Sequence, residues 1–122
     1  MKFKIFTYGT LLRNCGNDHL LVGSKLLEAN AITPPTLTML NLGSFPGIVE
    51  DGTTAVKGEL YEVDEDTLAR LDRLEGHPGF YERKPIAITT AEGEVAAEAY
   101  FLPKSYLQRC KVIESGSWRE GS

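Results

Sequence analysis

VKGELYEVDEDTLARLDRLEGHP, residues 56–78, changes from a strand pattern to the one clear helix of the chain. Asp64 has the side chain of an N-cap. Val63 before it and Leu68 at the fourth helical position can form a hydrophobic staple. At the other end a glycine fits the position just past the helix, and a proline soon after it blocks continuation. The sequence therefore predicts a helix over residues 64–75.

The rest of the chain has mainly the patterns of strands and turns. Alternation of apolar and polar side chains, with turn residues between the runs, indicates strands. The predicted strands cover residues 2–7, 25–33, 36–42, 56–63, 81–90 and 94–102. A loop is predicted at residues 14–18, turns at residues 43–47 and 91–93, and a short helix near residues 105–113. Many strands with one amphipathic helix favour an α+β domain whose sheet is strongly curved or barrel-like.

Length and composition predict one compact domain over residues 1–122, with residues 115–122 as a loose polar tail. The formal charge of −4, with scattered Lys and Arg, argues against nucleic-acid binding. No segment approaches the roughly 20 apolar residues of a membrane span. The N-terminus has the pattern of a strand and lacks the apolar region of a signal peptide. Cys15 and Cys110 have no zinc-site spacing, and we expect reduced thiols in the cytoplasm, with a disulfide as the alternative.

Glu75 is the most informative charged residue because of the direction in which the helix projects it. On a helix that turns about 100° per residue, Glu75 falls between Leu71 and Leu68, inside the apolar arc. Burial there and the negative end of the helix both raise the pKa of a carboxyl group. Such a group can exchange protons near pH 7. Alternatively, Glu75 turns outward at the helix end or pairs with Arg73 or Arg83.

A glycine-containing turn, Tyr8-Gly9-Thr10-Leu11, directly follows the first strand. Glycine lets a ligand approach the backbone closely, and successive N–H groups in such a turn can bind an anion. The alternative is a plain turn beside a core tyrosine. The sequence has no phosphate-loop, nucleophile-elbow, metal-ligand or dinucleotide pattern. We therefore expect no metal and no cofactor, which favours a reaction in which the substrate attacks itself.

Several motifs together resemble the gamma-glutamylcyclotransferase-like family. FTYGTLL at residues 6–12 resembles its Y-G-[ST]-L signature. GELYEV at 58–63, LDRLEGH at 71–77 and YER at 81–83 resemble its second signature, a strand and a helix that ends in the catalytic Glu. FPGIV at 45–49 resembles a block of the branch that includes gamma-glutamylamine cyclotransferase.

The resemblance implies a small curved mixed β-barrel flanked by one main helix and short helices. It implies that the α-amine of a γ-glutamyl amide attacks its own γ-carbonyl, releasing 5-oxoproline and an amine or amino acid. Glu75 would be the general acid/base. A substrate-binding role is implied for Tyr8, Gly9, Thr10, Leu11 and Tyr81. The expected partner is a small-molecule γ-glutamyl substrate, and the expected state is a monomer or weak homodimer.

Two other functions remain open from the residues alone. One fold can host many functions, so the chain can also be a non-catalytic module that binds a small metabolite. A weaker hypothesis is glycoside hydrolysis by a carboxylate pair, Glu75 with Asp72 or Glu82.

Overall fold

Two sheets and one long helix carry the fold, which was obtained as a computed structural model. The structure describes residues 1–13 and 15–121, with side chains up to 119. Asn14 of the predicted loop and Ser122 of the predicted tail lie outside the described residues. Five strands close a barrel in the order β1 (Lys2–Thr7), β5 (Lys57–Asp64), β2 (Lys25–Ile32), β6 (Glu82–Thr90) and β7 (Gly93–Phe101). A smaller sheet contains β4 (Pro46–Thr54), β3 (Leu37–Asn41) and β8 (Lys111–Val112).

The barrel is mixed because β1 pairs in parallel with β7 and antiparallel with β5. Short 3₁₀ turns span Asp18–Leu21 and Lys104–Gln108, and a last short helix, α2, spans Trp118–Gly121. This architecture confirms the predicted α+β class with a small curved sheet and one main helix. Over the residues that the structure describes, no helix is both long and apolar enough to cross a membrane.

The main helix, α1 (Glu65–Glu75), begins and ends where its capping residues predict. The Asp64 carboxylate accepts a hydrogen bond from the Thr67 N–H at 2.8 Å, as an N-cap does. Gly76 closes the helix with a left-handed backbone, φ +67°. Leu68 and Leu71 are buried against the barrel, but Leu74 is 41% exposed because the last turn of the helix lies at the mouth of a cavity.

The strand β4 is the largest error of the sequence prediction, which assigned a turn to residues 43–47 and no strand after it. The turn is confined to residues 43–45, and β4 begins at Pro46. Its first four residues are all buried and its next four are all exposed. A strand with that distribution lacks the alternation by which strands are recognised in a sequence.

The C-terminal region also differs from the predicted short helix at residues 105–113. The chain forms a 3₁₀ turn and then β8, which pairs with the edge of β3 through Leu40 and Val112. Beyond β8, in the segment that composition predicts to be loose, the Gly116 carbonyl accepts a hydrogen bond from the Lys57 N–H at 2.8 Å. Ser117 is buried, and Trp118 packs against the core.

Candidate functional site

A cavity of about 380 Å³ opens where β1 ends. Its wall is formed by the turn after β1, the start of β4, the end of α1 and two consecutive aromatic residues before β6. All six residues that the sequence predicts as a site contribute to it: Glu75, Tyr8, Gly9, Thr10, Leu11 and Tyr81. The structure therefore brings together residues that are far apart in the sequence.

Strand pairing explains why the end of α1 meets the end of β1. In the antiparallel register, Lys2 lies opposite Asp64 and Thr7 lies opposite Glu59, so α1 starts beside the beginning of β1. The helix has 11 residues and is about 16 Å long, whereas the six residues of β1 span about 20 Å. A helix of that length that runs back along the barrel carries Glu75 to the level of Tyr8.

The carboxyl group of Glu75 lies partly buried in the cavity wall. Burial raises its pKa from 4.5 to about 7, because a charged carboxylate is poorly solvated there. Among the described residues it forms no hydrogen bond or ion pair with another side chain. The predicted alternative partner, Arg83, instead binds Asp72 with Nη1 at 2.7 and 2.8 Å from the two carboxylate oxygens.

Three tyrosine rings, Tyr8, Tyr81 and Tyr100, line the same cavity. Burial raises the pKa of each phenol well above its ordinary value, and the nearby charge of Glu75 raises it further. Their hydroxyl groups donate to protein oxygens: Tyr8 to the Tyr100 carbonyl at 2.7 Å, Tyr81 to the Pro46 carbonyl at 2.5 Å, and Tyr100 to Asp72 at 2.7 Å. The phenols therefore stay neutral, and Glu75 is the cavity group that titrates near pH 7.

The turn after β1 has free backbone donors. Within the described part of the chain, the N–H groups of Gly9, Thr10 and Leu11 take part in no hydrogen bond. The Asn17 amide donates to the Thr10 hydroxyl at 2.9 Å, and the Asn17 N–H donates to the Thr10 carbonyl at 2.8 Å. Asn17, which itself lines the cavity, thus holds the turn in place, and the three N–H groups have no acceptor among the described residues that would compete with an anionic ligand.

Gly9 is needed for packing rather than for an unusual backbone angle. Its φ is not positive. A Cβ atom at this position would lie 2.7 Å from both Cδ and Cγ of Pro46, which is closer than a Cβ packs in proteins. The glycine therefore lets the turn and the start of β4 pack together as adjacent walls of the cavity.

Both proposed second carboxylates for glycoside hydrolysis lie outside the cavity wall. Asp72 is held by Arg83 and by the Tyr100 hydroxyl. Glu82 is 58% exposed beside Lys84. That hypothesis therefore lacks a carboxylate facing Glu75. In the described part of the chain, no group of three His, Cys, Asp or Glu side chains is arranged to hold a metal ion.

Sequence reasoning missed the outer wall of the cavity and the support behind the turn. Phe45, Leu74 and Phe80 complete the wall at its open side. Glu59 is completely buried behind the turn and accepts hydrogen bonds from Arg13. The one available signal was a glutamate in the apolar part of β5, which the motif at residues 58–63 contains.

The sequence and the structure of this chain are similar to those of one group of known proteins. The model of the family described as gamma-glutamyl cyclotransferase, AIG2-like, matches residues 5–120. A putative gamma-glutamylcyclotransferase of Methanocaldococcus jannaschii is 36% identical over 120 residues, 95% of each chain. The Escherichia coli gamma-glutamylcyclotransferase family protein YtfP is 37% identical over 115 residues, covering 94% of this chain and 95% of YtfP.

Solved structures of similar proteins have the same fold. YkqA from Bacillus subtilis superimposes with a TM-score of 0.81 at 29% identity; the match covers 98% of this chain but only 40% of YkqA. An AIG2-like protein from mouse superimposes with a TM-score of 0.80 at 25% identity, over 93% of this chain and 87% of the mouse protein. Because the family model and these relatives cover nearly the whole chain, this protein belongs to the gamma-glutamyl cyclotransferase, AIG2-like family.

Proposed function

We propose that the protein cyclises the γ-glutamyl group of a γ-glutamyl amide, with Glu75 as general acid and base. The observation that carries the proposal is the half-buried carboxyl group of Glu75, with a pKa of about 7, in the same cavity as three backbone N–H groups that have no acceptor among the described residues. Family membership and the names of the relatives support the same class of activity.

The proposed reaction forms one bond and breaks one bond. The Glu75 carboxylate removes a proton from the α-ammonium group of the substrate. The freed amine attacks the γ-carbonyl carbon and closes a five-membered lactam. The bond from that carbon to the leaving nitrogen then breaks as Glu75 gives this proton to the leaving nitrogen. Glu75 next carries a second proton from the ring nitrogen to the released amine, which leaves as an ammonium group. The products are 5-oxoproline and an amine, and no oxidant, reductant or water is consumed.

Besides proton transfer, the reaction requires groups that bind negative charge. The backbone donors of the turn can do so. Gly9, Thr10 and Leu11 offer N–H groups for the α-carboxylate of the glutamyl group or for the oxyanion that forms on attack. The neighbouring tyrosine hydroxyls donate to the protein itself, so they keep the walls rigid. Positioning the amine beside its own carbonyl is a large part of the catalysis that such a site can provide.

Release of 5-oxoproline tests the proposal. The protein is incubated with a panel of γ-glutamyl amino acids and γ-glutamyl amines, together with the variants Glu75→Gln and Glu82→Gln. The second variant is the control, since Glu82 lies outside the cavity wall. We expect turnover by the wild type and by Glu82→Gln, and a loss of at least about 100-fold in kcat/KM for Glu75→Gln.

Two results would contradict the proposal in different ways. Equal turnover by the wild type and Glu75→Gln would remove Glu75 from the mechanism. Thermal stabilisation by γ-glutamyl compounds, without 5-oxoproline from any of them, would favour the non-catalytic binding module.

A further inference from the structure

Apolar and aromatic side chains predominate at the open side of the cavity, beside the exposed Ser44. The Phe80 ring packs edge to face against Tyr81 with centroids 4.9 Å apart and against Phe45 with centroids 6.0 Å apart. Leu74, from the last turn of α1, lies in the same wall. Edge-to-face packing of this kind fixes the orientation of the rings, so this side of the cavity is a preformed apolar surface.

Two of these side chains are partly exposed to solvent, and a ligand bound in the cavity would cover them. Leu74 is 41% exposed and Phe80 is 37% exposed, although the described chain buries most of its large apolar side chains. Both line the cavity that contains Glu75. Neighbouring apolar side chains that remain in water inside a concave site are typical of a surface that binds the apolar part of a ligand.

The charged groups of the cavity wall limit which ligands can bind at its open side. Of the side chains that the structure describes, no Lys, Arg or His contributes to the cavity wall. Arg109 stacks on the ring of Tyr106, 4.8 Å from its centroid, and Tyr106 packs edge to face against Phe80 at 5.9 Å, but neither Arg109 nor Tyr106 is part of the wall. A carboxylate bound at the open side would therefore have no cation in the wall and would be repelled by ionised Glu75. An ammonium group there would be attracted by ionised Glu75, but it would lose its water against apolar side chains that offer it no acceptor.

We propose that Phe45, Leu74 and Phe80 form the site for the leaving group and that the substrates are γ-glutamyl amides of apolar amines without a carboxylate. This inference rests on the proposed cyclisation, in which the turn after β1 and Glu75 hold the glutamyl group and the amide substituent extends to the open side. The structure thus selects alkyl- or arylalkylamines over amino acids and diamines as the released product.

Three substrates that differ in one terminal group test the inference. They are the γ-glutamyl amides of n-pentylamine, 5-aminopentanoate and 1,4-diaminobutane, which end in a methyl, a carboxylate and an ammonium group on the same four-carbon chain. We expect kcat/KM for the pentylamide to exceed that of each charged analogue by at least about tenfold. Equal kcat/KM for the three would overturn the inference and leave the cyclisation intact.

Two variants assign the preference to this surface. Leu74→Lys places a cation at the open side, and we expect it to lower the ratio of pentylamide to 5-aminopentanoate turnover at least about fivefold. The control Val22→Lys adds the same charge at a side chain that is 83% exposed and outside the wall. Phe80→Ala is expected to reduce the preference for the pentylamide over a fourth substrate, the γ-glutamyl amide of methylamine, at least about fivefold. Unchanged ratios in both cavity variants would overturn the assignment.

Binding measurements test this inference independently of the proposed cyclisation. If the wild type releases 5-oxoproline from none of the compounds, the proposed function fails, and calorimetric Kd values for the same three amides decide the inference. Binding of the pentylamide at least about tenfold more tightly than either charged analogue supports the apolar site. Equal binding of the three overturns it.

Discussion

Arg13 and Glu59 join the turn after β1 to the interior of β5. The backbone N–H of Arg13 donates to one oxygen of the Glu59 carboxylate at 3.0 Å, and its side-chain Nε donates to the other at 2.9 Å. The Tyr61 hydroxyl donates to the same carboxylate at 3.3 Å, and an Arg119 nitrogen lies 3.6 Å from it. The position of the turn that carries the free donors therefore depends on a completely buried carboxylate.

Replacing that carboxylate should destabilise the protein. We expect Glu59→Ala to lower the free energy of unfolding by about 2–4 kcal/mol, because it leaves a cavity and unpaired donors on Arg13 and Tyr61. Urea denaturation measures the change. Glu50→Ala is the control, since it removes only an exposed ion pair with Lys84 and should cost less than about 1 kcal/mol. Equal losses in the two variants would mean that Glu59 contributes no more than a surface charge.

The raised pKa of Glu75 predicts a pH-dependent stability. The folded protein holds the proton up to about pH 7, whereas the unfolded chain releases it near pH 4.5. Stability from this group is therefore fully present below about pH 4.5 and is lost as the pH rises through about 7, by at most about 3 kcal/mol. We expect the free energy of unfolding of the wild type to fall relative to Glu75→Gln between pH 5 and pH 8. Parallel pH profiles would show that burial does not shift this carboxyl group.

The same group should set the acid side of the pH–rate profile. Since a general base must be ionised in the free enzyme, kcat/KM should rise with pH and reach half of its plateau near pH 7. A ¹³C NMR titration of the side-chain carboxyl groups, with Glu75→Gln to assign the signal, should give the same midpoint. A midpoint near pH 4.5 in both experiments would exclude a desolvated base.

The contact between Gly9 and Pro46 predicts the effect of one methyl group. Gly9→Ala would place Cβ 2.7 Å from the proline ring, so we expect a loss of about 1–3 kcal/mol in stability together with a lower kcat/KM. Gly16→Ala is the matched control, since nothing lies within 4 Å of its added Cβ. Adding Pro46→Ala to Gly9→Ala should recover part of the loss, because the two changes act on one contact. Strictly additive losses would mean that the effect of Gly9→Ala does not arise from the contact with Pro46.

The sequence predictions were accurate where a feature depends on residues close together in the chain, and they failed where it depends on contacts with distant elements. The caps of α1 were predicted because the Asp64 contact spans three residues. The position of Glu75 on an apolar arc followed from helical periodicity alone. By contrast, β4 was missed because its first residues are all buried and so do not alternate. The exposure of Leu74 could not be predicted, because helical periodicity does not show where the barrel surface ends.

By itself the sequence determined the helix, most of the strands, the turn after β1 and the family, because each depends on neighbouring residues or on short motifs. Only the tertiary structure decided what surrounds the carboxyl group of Glu75. The Tyr81 hydroxyl reaches the Pro46 carbonyl across 35 residues, and the Tyr8 hydroxyl reaches the Tyr100 carbonyl across 92. The second contact arises where closure of the barrel brings β1 beside β7, and the first where the smaller sheet packs against the barrel, and no local pattern of side chains encodes either.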